Sequence, residues 1–161
     1  MVWSRLLTAC RSAFLRLSRS SSIDQPPVAA PEAVTRFIFS SRHFARTQGR
    51  VRAPAISPQV HEETGRLELS IYRADNATSA ELWEICTKYV DNPAVGRVAK
   101  ARGTCFASTM FRHGLSFDAD GKPHARHANV IGWPDPPKHE LKIIQQKIAA
   151  AMTLEVRVLV S

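Results

Sequence analysis

Residues 67–91 read LELSIYRADNATSAELWEICTKYVD, and the fold class turns on them. Leu67, Leu69 and Ile71 alternate with Glu68, Ser70 and Tyr72, the period of two that predicts a strand with one face in a core and the other wet. Gly65 supplies a turn just before. Thr78 and Glu81 then stand at capping-box spacing: a hydroxyl accepts from a free amide of the first turn, and a carboxylate three residues on returns to the cap. Leu82, Ile85, Cys86, Tyr89 and Val90 recur at helical spacing, and Pro93 closes the pattern, which predicts a helix over 79–91.

Outward from this strand and helix, the same two periods alternate irregularly. RFIFS at 36–40 predicts a short strand. SRHFARTQGRVRAP at 41–54 reads as a long basic loop. Toward the C-terminus the pattern predicts strands at 103–106, 115–118 and 127–133 and a short helix at 108–113. A turn at Asp120–Gly121 precedes the third of these strands. Leu141, Ile144, Ile148 and Met152 form the apolar stripe of a helix near 137–151, and LEVRVLV at 154–160 alternates as a closing strand. Strands and helices mixed without regular strand–helix–strand spacing imply an α+β domain: a small, mostly antiparallel sheet packed by two main helices. The chain's 161 residues suit one such domain. The expected boundaries are 34–161 for the domain and 1–33 for a leader and linker outside it. Pro26, Pro27 and Pro31 mark the linker.

The leader is amphipathic. Trp3, Leu6, Leu7, Cys10, Phe14 and Leu17 share one arc of a helical projection, and Arg5, Arg11, Arg16 and Arg19 lie opposite. It is expected to be disordered or detached. In a eukaryotic source it would read as a mitochondrial presequence, with the matrix as destination. Otherwise the expected compartment is the cytoplasm. Of the net charge of +8, eight arginines against Asp24 and Glu32 place +6 in residues 1–50. The three cysteines, Cys10, Cys86 and Cys105, are odd in number and far apart, which argues against a disulfide framework and for a reducing compartment. No apolar run reaches the length of about 18 residues that a transmembrane helix requires.

No motif declares a chemistry. The chain lacks G-x-S-x-G, S-x-x-K, a phosphate-cradling glycine loop and a CxxC pair. No cofactor is expected. His113, His124 and His127, with Cys105 upstream, fall short of zinc-ligand spacing, so no metal is expected either. Two sets of residues carry chemical interest. His127 and Asn129 share a strand face, with Arg126 adjacent on the other face; imidazole and amide side by side can orient a substrate or donate to an anion. Arg42, Arg46, Arg50 and Arg52, with His43 and Phe44 among them, can contact phosphates while the ring stacks on a base.

RFIFSSRHFARTQGRV (36–51) and RHANVIGWP (126–134) resemble a family of small, functionally uncharacterised bacterial proteins. The resemblance covers most of 36–152 and implies a bacterial source but no activity. The closing residues TLEVRVLVS depart from the family pattern. Two functions follow as expectations. The first is an accessory or binding module that meets a protein or an anionic partner, nucleic acid included, through the basic loop. The alternative is a small hydrolase or transferase using His127 and Asn129 with an arginine.

Overall fold

The alternation at 67–73 becomes a central strand. In the computed structural model, which describes residues 25–135 and 138–158, Leu67–Arg73 (β5) lies inside an antiparallel sheet. The other strands among the described residues are β1 (Ala33–Ile38), β2 (Phe44–Ala45), β3 (Arg50–Val51) and β4 (Gln59–Val60). They continue with β6 (Ala101–Phe106), β7 (Ser116–Asp118), β8 (His127–Ile131) and β9 (Thr153–Val156). Their order is β2-β3-β9-β6-β1-β5-β8-β7, with β4 also paired to β5. Three helices accompany them: α1 (Ser79–Ile85), α2 (Ala107–Phe111) and α3 (Lys138–Ala151). The domain is α+β, as the sequence implies. The amphipathic leader at 1–24 lies outside the described residues.

Strand alternation separates two apolar layers. Val34 and Ile38 of β1, Leu69 and Ile71 of β5, and Ala128 and Val130 of β8 join Ile144 and Ile148 of α3 in the larger core. Phe37 and Tyr72, from intervening positions, pack with Ile85, Cys86 and Ala99 on the opposite face. The two main helices therefore cover opposite faces of one sheet. The capping box at α1 forms as its spacing predicts: Glu81 N donates to Thr78 Oγ1 (3.2 Å) and Thr78 N to Glu81 Oε2 (2.6 Å). After Ile85 the helix loosens into a π turn over Cys86–Val90, and Asp91 N donates to Cys86 O (2.8 Å).

Three departures have local causes. Residues 26–33, expected outside the fold, are part of it. Val28 is buried in the larger core, and the Glu32 carboxylate pairs with Arg73 (2.5 Å), with side-chain exposures of 8% and 15%. The carbonyls of Glu32 and Ala30 accept the Ala107 and Ser108 amides at the start of α2 (2.8 Å each), which helix geometry alone leaves unpaired. The basic loop is not featureless: a 3₁₀ turn at Ser41–His43 leads into the β2–β3 hairpin, and a second, Arg46–Gln48, connects its two strands. Its Phe44 is buried in the core and cannot stack on a base. The closing strand is shorter than 154–160 and is interior. β9 pairs with β6 at four positions and with β3 at Thr153.

That insertion constrains Gly103, on β6 between β1 and β9. A Cβ there would sit 2.9 Å from both Val51 Cγ2 and Met152 Sδ. Gly103→Val is expected to destabilise the domain by about 1–3 kcal/mol, the usual cost of overpacking. Urea denaturation would measure it, and an unchanged midpoint would show that the core yields freely there.

Candidate functional site

The polar face of β5 and β8 carries a chain of side-chain hydrogen bonds. The register pairs Tyr72 with His127 and Ser70 with Asn129. His127 is buried, yet its ring partners are side chains. Nε2 lies 2.8 Å from Ser70 Oγ, and Nδ1 lies 2.5 Å from Asp120 Oδ1. Asp120 is positioned by the turn between β7 and β8. Gly121, at φ +62°, closes that turn, and Lys122 N donates to Asp120 Oδ1 (3.2 Å). Asn129 Nδ2 donates to the other carboxylate oxygen (3.3 Å). The Tyr72 ring meets the imidazole edge-on, with centroids 5.2 Å apart. Burial, followed by the nearby Cys86 and Asp120, pushes the Tyr72 hydroxyl up to about 12, so it stays protonated at neutral pH.

Ser70 and Asn129 open onto a cleft of about 470 Å³ that Arg36, Phe39, His61 and Arg97 also line. Strand pairing explains the opening. β5 pairs with β1 only at Tyr72 and Arg73, and with β4 only at Leu67 and Glu68. Between those positions the Arg36 guanidinium replaces the ladder, donating to the carbonyls of Ser70 (2.9 Å) and Ala55 (3.5 Å). Arg97 lies over the Phe39 ring, 4.4 Å from its centroid. Among the described residues neither arginine makes an ion pair. Glu68, on the same cleft, is committed to Arg66 (2.9 Å) and Thr64 (3.2 Å). Burial, and then the positive charge of Arg97, lower Arg36 to about 10. His61 Nδ1 is buried with no hydrogen-bond partner.

The residues expected from sequence do not all converge. Arg126 stays outside the cleft, its Nη1 donating to the carbonyls of Arg73 (3.3 Å) and Asp75 (2.8 Å). It ties the start of β8 to the end of β5. Arg42, Arg46, Arg50 and Arg52 are all exposed, and none forms an ion pair among the described residues. They are divided in space. Arg50 and Arg52 border a hollow shared with Gln146 and Ala150 of α3, whereas Arg46 borders another with Lys100 and Arg157. Among the described residues no three His, Cys, Asp or Glu side chains gather as a metal-binding group. Cys86 and Cys105 are free thiols that burial pushes up to about 12 and about 11, so they are poor nucleophiles.

A second polar network joins α1 to β9. Glu155 accepts from Ser79, Trp83 and Arg102, and these bonds outweigh the opposing effect of its partial burial, holding it below the ordinary carboxylate range. It is a structural tie between the covering helix and the C-terminal strand.

Comparison with protein-family models, curated proteins and solved structures gives no match for this chain. The chemistry of the site therefore rests on its own residues. Ser70, Asp120, Arg36 and Arg97 are the members that sequence reasoning missed. Ser70 sits at a polar position of the alternating strand, where serine is unremarkable. Asp120 reads as a turn residue before glycine. Arg36, a cation inside RFIFS, was the one local anomaly, since a strand flanked on both sides has little room for an unpaired charge. No helix among the described residues is long and apolar enough to cross a membrane.

Proposed function

We propose that the domain is a binding module for an anionic partner, and that it takes the partner's carboxylate or phosphate group in the cleft beside β1, between Arg36 and Arg97. The observation that carries this is Arg36, half-buried, whose guanidinium is set into a break in the sheet with carbonyl partners and, among the described residues, no carboxylate. Withdrawing a charge from water without a counter-ion is costly, and an anion from outside would relieve that cost. Desolvation first, and then repulsion from Arg97, lower the proton affinity of Arg36, the direction that an anion would reverse. Asn129 and His61 add further hydrogen-bonding groups along the wall.

The basic loop gives a second reading, favoured by its four exposed arginines, none of them in an ion pair among the described residues. Arg42, Arg46, Arg50 and Arg52 would contact a larger polyanion such as nucleic acid, or an acidic protein surface. We place the domain in the cytoplasm of a bacterial cell. The resemblance at 36–51 and 126–134 supports the source, and the buried free thiols of Cys86 and Cys105 support a reducing compartment.

Inorganic phosphate tests the first reading. At 100 times its Kd it should stabilise the protein by about 2.7 kcal/mol, seen as a rise in thermal midpoint. Arg97→Ala, at an exposed position, should abolish the rise without unfolding the chain. A rise that survives Arg97→Ala but vanishes in the Arg50→Ala/Arg52→Ala double variant would move the anion to the loop. No rise at all would sink the cleft as an anion site.

A further inference from the structure

We propose that Ser70 is a nucleophile activated by His127 and Asp120, and that the cleft hydrolyses an ester whose acyl part carries an anionic group. Three features support the assignment. The Ser70 Oγ–His127 Nε2 distance of 2.8 Å and the His127 Nδ1–Asp120 Oδ1 distance of 2.5 Å put hydroxyl, imidazole and carboxylate in one relay. Such relays are recognised by geometry and role, whatever the chain order. Asp120 is itself held from both sides, by Lys122 N on Oδ1 and Asn129 Nδ2 on Oδ2, so the imidazole is oriented by a fixed carboxylate. A network serving stability alone has no need to end at a hydroxyl on a cleft, yet Ser70 lines the cleft that Arg36, Arg97 and Asn129 supply with hydrogen-bond donors.

In the chemistry this permits, Ser70 Oγ bonds to the ester carbonyl carbon while its proton passes to His127 Nε2. The bond from that carbon to the alcohol oxygen breaks, and the departing alkoxide takes the proton from His127. Water then adds to the acyl carbon, giving a proton to Nε2. The bond to Ser70 breaks, and Oγ recovers that proton. The products are a carboxylic acid and an alcohol, and no other reactant is consumed. The cleft arginines and Asn129 are the donors available to the transient oxyanion. Only the choice of an anionic substrate rests on the binding function proposed above; the relay itself does not.

A neutral alkyl fluorophosphonate separates the two. Ser70 Oγ should displace fluoride from phosphorus, leaving an adduct that peptide mapping assigns to Ser70 in the native protein and that does not form when the protein is unfolded in urea before the reagent is added. Ser70→Ala should remove the adduct. Asp120→Asn, with its folding checked by the thermal midpoint, should slow labelling by roughly 10⁴-fold. Absence of a Ser70 adduct on the unmutated native protein, or an undiminished rate in Asp120→Asn, overturns the relay whatever the variants do to stability. In a second arm, the Ser70-dependent rate (parent minus Ser70→Ala, which removes the hydrolysis that the succinate's own carboxylate promotes) should be at least tenfold higher for mono-4-nitrophenyl succinate than for 4-nitrophenyl acetate, and Arg97→Ala should erase that preference. Equal rates in a protein that still forms the adduct would overturn the anionic substrate and leave the nucleophile standing.

Discussion

A chain that starts at Ala33 is expected to lose about 4.5–8 kcal/mol of stability relative to the full protein, enough to leave little native domain. The loss has two main sources. Removing Glu32 strands the Arg73 guanidinium, which is only 15% exposed, and breaking a buried pair from one side costs about 3–5 kcal/mol. Removing Val28 exposes core and withdraws about 1.5–3 kcal/mol of apolar burial. The amides of Ala107 and Ser108 also lose their acceptors. Domains hold together by about 5–15 kcal/mol, so the change is decisive. Urea unfolding of the truncated chain would measure it, with Glu32→Gln in the full-length chain isolating the ion pair. A truncated chain with the parent midpoint would return these residues to the role of a linker.

Trp133→Ala is the second large effect. Trp133 is 6% exposed, belongs to the core cluster that includes Ile144 and Ile148, and donates its indole N–H to Val130 O at 2.9 Å. Truncating a buried tryptophan costs about 3–5 kcal/mol through lost burial and the cavity left behind. The Val130 carbonyl also loses its indole donor at the end of β8. The variant should be insoluble or readily cleaved by protease, whereas Trp133→Phe, which keeps most of the ring volume, should be milder. Equal protease resistance of Trp133→Ala and the parent would mean that the indole is not a core element.

Elements governed by neighbours in the chain were legible beforehand. The Leu67–Arg73 strand, the Thr78–Glu81 cap and the Leu141–Met152 stripe form as their periods predict, although the face of β5 expected to be wet is covered, with Glu68 and Tyr72 buried. Capping and amphipathic periodicity act within one or two turns, so a local reading captures them. Proline misled at 26–33, because it bars regular hydrogen bonding without barring burial. The Pro26 carbonyl accepts from Arg73 (2.7 Å), and Val28 fills a core position within an irregular path. The tail also misled: β9 is short and sits in the middle of the sheet, a place decided by pairing with β6 some fifty residues earlier.

By itself the sequence determined the α+β class, the two main helices and the shared face of His127 and Asn129, because each follows from side-chain period and short-range hydrogen bonding. Tertiary structure alone decided what that face meets. Ser70 reaches His127 through strand register, Asp120 through the turn after β7, and Arg36 meets Arg97 where β1 leaves β5. Ser70 and His127 are 57 residues apart, and Asp120, only seven residues from His127, reaches it because a turn folds it back over β8. A hydroxyl and a carboxylate carry no trace in their local sequence of each standing within 3 Å of the same imidazole, because those distances are set by strand pairing and turn closure.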